Sequence, residues 1–278
     1  MTTIAVRTGN LEVAGATIHH ELRGRGPLLV LHAAPMTTDA FAGAADLLAA
    51  DHTVLTSDPR GVGGSTVDDR NCDVSPELRA DDLIRLLEYV DAGPAVLFGS
   101  SGGAVSALAL AVTRPDLVST VIAHEPPLAE LLPDRDRILA ATDRMIETYL
   151  TGDRLRYWNQ FLDVAGIVMP PEVVEHVFGG PLDERGAADE RYAVVHMNRC
   201  TTFWKPDLRA LRTVADRLVI GIGEDSAGQL CDRASRALGA HLGVEPTLFP
   251  GDHTGFAEDP AAFVARLSAV LDARKQPR

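Results

Sequence analysis

The sequence predicts an α/β fold, a mostly parallel sheet flanked by helices with a helical insertion in its second half. Three observations predict it. Short, continuous apolar runs occur at Leu28–Leu31, Ala95–Phe98, Val118–Ala123 and Leu218–Ile222, as expected for strands buried on both faces. Helical segments alternate with these runs. Between residues 128 and 214 that alternation stops and helical patterns broken by Pro and Gly take over. A chain of 278 residues is long enough for one large domain carrying such an insertion. The reading therefore divides it into a core of 1–127 and 215–278 and an insertion of 128–214, placed as a cap over the sheet.

The elements follow in order. Ile4–Val13 and Ala16–Leu22 read as two antiparallel strands, with turns at Gly15 and at Gly24-Arg25-Gly26. Leu28–Leu31 begins the parallel part. A helical segment covers Asp39–Ala50, a short strand Thr53–Ser57, and a turn Asp58-Pro59-Arg60-Gly61, whose Asp-Arg pair can brace it. Ser75 can cap the next helix, Pro76 fits its first turn, and Leu78, Leu83, Leu86, Leu87 and Val90 recur at helical spacing. Ala95–Phe98 then runs into Gly99-Ser100-Ser101-Gly102-Gly103 and an alanine-rich helix to Thr113, and Val118–Ala123 ends at His124-Glu125-Pro126-Pro127. The insertion offers helices at Arg135–Leu150, Arg154–Val164, Glu172–Phe178 and Arg191–Asn198. After Leu218–Ile222 come a helix near Gly228–Leu242, a strand at Pro246–Phe249, and a final helix from about Pro260.

Composition narrows the function. Hydrophobic residues at 46% and charged residues at 23% are ordinary for a globular protein. A net charge of −13 and a pI near 5.1 argue against a sequence-independent grip on nucleic acid or anionic membrane. No apolar run has the length of a membrane span, and the opening Met1-Thr-Thr-Ile-Ala-Val-Arg lacks the basic-then-apolar pattern of a signal peptide. Cys72, Cys200 and Cys231 are odd in number and lack metal-ligand spacing, so they read as reduced thiols of a cytoplasmic protein, with no metal site.

The sharpest chemical signal is the serine turn. Gly99-Ser100-Ser101-Gly102-Gly103 fits G-x-S-x-G with Ser101 at its centre, and it lies between a buried strand and an apolar helix, the context such a turn requires. Small residues let the chain turn sharply and leave the serine side chain exposed. A serine hydroxyl needs a base to take its proton. His253, in Phe249-Pro-Gly-Asp-His-Thr-Gly, follows the last strand and precedes the last helix. Among the histidines downstream of Ser101, only His124 also follows a sheet strand.

Together, Leu28 to His32-Ala33-Ala34-Pro35, Asp58-Pro-Arg-Gly-Val-Gly-Gly-Ser65, the serine turn and the Gly251-Asp-His253 loop resemble the α/β-hydrolase superfamily in order and spacing, over nearly the whole chain. The resemblance implies an eight-stranded, mostly parallel sheet, a helical cap, no cofactor and an acyl-enzyme route. His32-Ala-Ala-Pro35 is similar to a family segment that supplies one oxyanion N–H, here Ala34 or its neighbour Ala33; Gly102 supplies the other. Alanine stands where the family usually has glycine, which leaves the N–H in place but restricts the loop.

The triad acid has two candidates. Many relatives place it after the strand matching Leu218–Ile222, where Glu224 and Asp225 stand and the expected position holds Ser226. Another arrangement, that of zearalenone-type lactonases, uses the end of the strand after the nucleophile helix, and there the sequence has Glu125, backed by Pro126 and Pro127. Glu125 is preferred, with Asp225 as the alternative. Trp158, Met197 and Trp204 are candidate walls of an apolar substrate pocket. The expected activity is cleavage of a small apolar carboxylic ester or lactone. On the same fold, C–C bond hydrolysis, peracid formation, cyclisation or catalytically silent ligand binding are the alternatives.

Overall fold

The computed structural model of the chain describes residues 5–275. Ile4, the expected start of the first strand, and the Met1–Ile4 part of the leader reading lie outside them. β1 (Val6–Val13) and β2 (Ala16–Gly24) form an antiparallel hairpin, in register from Val6↔Arg23 to Val13↔Ala16. β3 (Leu28–Ala34), α1 (Ala42–Leu48), β4 (Thr53–Ser57), the two-residue β5 (Thr66–Val67) and α2 (Pro76–Val90) follow. The Ser75 hydroxyl caps α2 by accepting from Leu78 N–H at 3.2 Å. Next come β6 (Ala95–Ser101), α3 (Gly102–Thr113) and β7 (Val118–His124).

A run of helices then interrupts the alternation: α4 (Arg135–Leu150), α5 (Arg154–Ala165), α6 (Pro171–Phe178), α7 (Glu184–Tyr192), α8 (Asn198–Thr202) and α9 (Leu208–Thr213). The helix expected at Arg191–Asn198 is different in the structure. It begins at Glu184, where Asp183 caps it through Gly186 N–H, and a π turn at Ala193–Met197 breaks it before α8. Glu184–Tyr192 has five charged residues in nine, so no apolar period announces it. The sheet resumes with β8 (Leu218–Gly223), followed by α10 (Leu230–Leu242), β9 (Thr247–Phe249), the single turn α11 (Gly255–Glu258) and α12 (Pro260–Lys275).

The main path of the sheet has eight strands, in the order β1-β2-β4-β3-β6-β7-β8-β9, and β5 adds a ninth piece against β2. From β4 to β9 neighbouring strands are parallel; β1 and β2 run antiparallel to their neighbours. This is the α/β-hydrolase fold. Alternation along β3 splits the core into two layers. Leu28 and Val30 face α2 and α3, whereas Leu29 and Leu31 face α1 and α12. α3 is buried from Gly102 to Ala111, which fixes the helix that follows Ser101 between sheet and outer helices. α9 packs Leu211 into the α2/α3 layer, so the helical segment rejoins the core before β8 begins. Among the described residues, no helix is long and apolar enough to cross a membrane.

The turn after β4 is braced differently from the expected Asp58–Arg60 pair. Asp58 accepts from Thr38 N–H at 2.7 Å and Gly64 N–H at 2.6 Å. Arg60 instead reaches α2 and grips Asp82 in a buried two-point pair at 2.7 and 2.5 Å. Replacing one partner strands the other charge without water. Asp82→Ala should therefore lower unfolding free energy by about 3–5 kcal/mol in urea denaturation; a loss below about 1 kcal/mol would show that the pair is not what holds this turn.

Candidate active site

The C-terminal edge of the parallel strands gathers the chemistry. Ser101 closes β6 with φ 55° and ψ −125°, a conformation that a side chain rarely adopts. It occupies the cap position of α3, yet its hydroxyl makes no capping bond and its side chain is partly exposed. Gly102 makes the turn possible: a methyl there would stand 2.7 Å from the Ala34 carbonyl oxygen. Across the β3–β6 pairing Ala34 lies opposite Ser101, and Ala33 opposite Ser100. The first turn of α3 adds the positive end of a buried helix at the same point.

His253 sits on the loop between β9 and α11. That loop passes close over the end of β8, where a methyl on Gly223 would lie 2.7 Å from the Asp252 carbonyl oxygen. The imidazole Nδ1 meets Glu125 Oε2 at 2.5 Å. Glu125, one residue past β7, is fully buried, and its second oxygen accepts from Gly223 N–H at 2.8 Å. It too has a left-handed backbone, with φ 52°, and its own N–H bonds the Gly221 oxygen at 3.0 Å. Asp225, the alternative acid, is exposed, with its backbone N–H tied to the Gly251 oxygen at 2.9 Å. The carboxylate bonded to the histidine is thus Glu125. No hydrogen bond joins Ser101 to His253 among the described residues.

The electrostatics follow from this pairing. Burial alone would raise the Glu125 pKa, but the hydrogen bond and charge of His253 outweigh it and lower the value to about 2. Burial would lower the His253 pKa; Cys231 and Glu125 beside the ring overcome that and raise it above the ordinary histidine value. His124 behaves oppositely. It is buried against Phe98, its Nδ1 meets Ser100 Oγ at 3.0 Å, and desolvation lowers its pKa to about 4, which keeps it neutral. Ser100 is therefore committed to the interior, and Ser101 alone of the two serines has a free hydroxyl.

The proposed pocket residues are all engaged in packing. Trp158 stacks on Phe178 with centroids 4.3 Å apart and donates to Glu190 at 3.1 Å. Met197 is buried with Val62, Val74 and Tyr192. Trp204 packs on the main core and donates to Glu77 at 2.5 Å. The helical segment reaches the serine turn through a residue the sequence did not mark, Thr201 of α8. Its methyl would stand 3.3 Å from a methyl on Gly102, and its hydroxyl accepts at 2.8 Å from the buried Arg79. Cys231, in the first turn of α10, also went unmarked: one ligating atom each of Glu125, Cys231 and His253 lie within 4.8 Å of one another. Those residues are far apart in sequence, so spacing could not reveal them.

Comparisons agree with this architecture. A family profile described as alpha/beta hydrolase fold matches residues 26–156. An uncharacterized hydrolase of Bacillus subtilis strain 168, YraK, is 29% identical over 98% of this chain and 99% of that protein. Among solved structures, a candidate epoxide hydrolase from Pseudomonas aeruginosa superposes with a TM-score of 0.70 at 20% identity, over 99% of each chain. MGS-M2, an alpha/beta hydrolase from a Medee basin deep-sea metagenome library, reaches 0.72 at 18% identity, over 97% of this chain and 98% of that one.

Two measurements probe the acid and the base. Glu125→Gln keeps the size but removes the charge behind His253, and should cut kcat by about 10³ to 10⁴. Asp225→Asn should cost less than about tenfold, and the reverse ranking in folded proteins would move the acid to Asp225. Because the His253 pKa is raised, its basic form accumulates only above that value, so kcat/KM should climb with pH past neutrality. Glu125→Gln should shift the inflection to lower pH; an inflection that stays in place would separate Glu125 from the titrating base.

Proposed function

We propose that this chain, an α/β hydrolase by fold, is a serine hydrolase that cleaves a small carboxylic ester or lactone through an acyl-enzyme. One observation carries the reading. Ser101 is held in a strained turn with its hydroxyl uncommitted, at the sheet edge where Glu125 already orients His253. In this mechanism the Ser101 oxygen attacks the carbonyl carbon while His253 takes its proton. The N–H groups of Gly102 and Ala34 receive the oxyanion, and Glu125 stabilises the imidazolium. His253 then protonates the leaving oxygen, and water repeats the route to release the acid.

The helical segment 128–214 acts as the cap in this reading, supported by Thr201 lying over Gly102. With Trp158, Met197 and Trp204 held in packing, the residue favoured against the acyl group is Thr201. Chemistry disfavours epoxide opening. A serine oxygen that opened an epoxide would be left as an ether, which water and a histidine base do not cleave, whereas a carboxylate nucleophile would leave a hydrolysable ester.

A fluorophosphonate probe should label wild type at Ser101, and Ser101→Ala should abolish labelling and lower ester turnover by about 10³ or more while the fold survives. Ser100→Ala should cost far less turnover. Undiminished labelling of Ser101→Ala would remove the nucleophile, and turnover confined to epoxides across a panel of esters, lactones and epoxides would remove the reaction class.

A further inference from the structure

We propose that Glu125, Cys231 and His253 form an inhibitory site for a soft divalent cation of the Zn²⁺ type, which silences the enzyme by capturing its base. The geometry comes first. One ligating atom from each residue lies within 4.8 Å of the others; Glu125 is fully buried, and Cys231 and His253 are partly exposed. In a tetrahedral zinc site with bonds of about 2.0–2.3 Å, ligand atoms stand about 3.3–3.6 Å apart. To reach those spacings the 2.5 Å Glu125–His253 contact must open and the Cys231 sulfur must draw in from a distance of at most 4.8 Å. Water can supply the fourth position.

The donor set is selective. A thiolate, an imidazole and a carboxylate suit Zn²⁺ and its soft relatives, and disfavour Mg²⁺ and Ca²⁺, which take oxygen ligands. Charge also balances. The cation replaces the thiol proton, which is released to water, and the carboxylate and thiolate then carry two negative charges against its two positive ones. Paired in this way, the cation is spared much of the desolvation penalty that would oppose an unpaired charge beside the buried Glu125.

Cys231 meets the reacting groups only through Glu125 and the His253 ring. It makes no hydrogen bond to Ser101, and the other two cysteines lie elsewhere: Cys72 is exposed beside Asp69, and Cys200 belongs to α8. Once His253 is a ligand it has no lone pair for the Ser101 proton. The inhibition rests on the serine-hydrolase reading above; the binding does not.

The test uses the whole chain, as wild type, Cys231→Ser and Cys231→Ala. Titration with Co²⁺ should give wild type a thiolate-to-cobalt charge-transfer band that saturates at one equivalent and is displaced by Zn²⁺, and neither variant should show it. Without metal, both variants should still label with fluorophosphonate, and each protein's own metal-free rate is the reference for its response to metal. Zn²⁺ should block labelling of wild type, reversibly with chelator, while the variants should need at least about tenfold more. Absence of the band at excess Co²⁺, or equal Zn²⁺ sensitivity in all three proteins, would overturn the site. A band in a wild type that never labels, even free of metal, would uphold the binding site and sink the hydrolase reading together with the inhibition.

Discussion

The hydrogen bond between buried Glu125 and His253, 2.5 Å long, is the contact on which the rest of the arrangement depends. A carboxylate that is fully buried is costly unless it is paired and its remaining lone pairs are met. Here one oxygen holds the imidazole and the other takes the Gly223 N–H. Sheet order makes this possible. β7 lies between β6 and β8, so a side chain just past its end is one strand from the serine and one strand from the histidine loop. Gly221 and Gly223 keep β8 thin at that point: a methyl on Gly221 would meet the His124 and Phe249 rings at 3.1 Å. Larger residues there would push the histidine loop away and leave the carboxylate stranded.

Two adjacent strand ends carry strain, at Ser101 and at Glu125. Each such backbone costs on the order of 1–3 kcal/mol and persists only where its surroundings overdetermine it. The surroundings are dense. α3 is buried along ten consecutive residues, and Phe98, Phe249, Phe256 and Phe263 form an edge-to-face cluster beneath the two sites. The neutral pair Ser100–His124 fills the space between them with one hydrogen bond and no charge. The interior is thus what sets the angles at which the two polar side chains emerge. Changes in that aromatic layer would reach the site as misplacement rather than as lost contacts.

What the sequence revealed was what is local. The apolar runs became β3, β6, β7 and β8 because a strand buried on both faces has little choice of residue, and Ser75-Pro76 placed the start of α2 through a cap formed three residues away. The serine turn was legible for the same reason. Glu125 could be named because it adjoins a strand end; Asp225, equally close to one, has an exposed side chain. Non-local partnerships were hidden. Arg60 finds Asp82 instead of Asp58, Thr201 reaches Gly102 from a helix behind a π turn, and Cys231 meets residues from two other elements. Aromatic residues in the helical segment show the same limit. Their spacing announces a helix, but Trp158 and Trp204 each turn a ring N–H to a carboxylate of a neighbouring helix, which no periodicity records.

The environment of His253 also accounts for why the proposed base and the proposed cation site coincide. In the proposed acyl transfer from Ser101, positive charge develops on the imidazole in the transition state, and the surroundings favour that charge through Cys231 and Glu125. An environment that favours positive charge does not distinguish a proton from a metal by charge alone. The distinction must come from the ligands, and a proton needs only the ring and the carboxylate, whereas Zn²⁺ needs a third strong donor. In the proposed site Cys231 is that donor. A serine in its place would weaken the metal's hold in the proposed site, and it would also take from the His253 ring one of the two neighbours that raise its pKa.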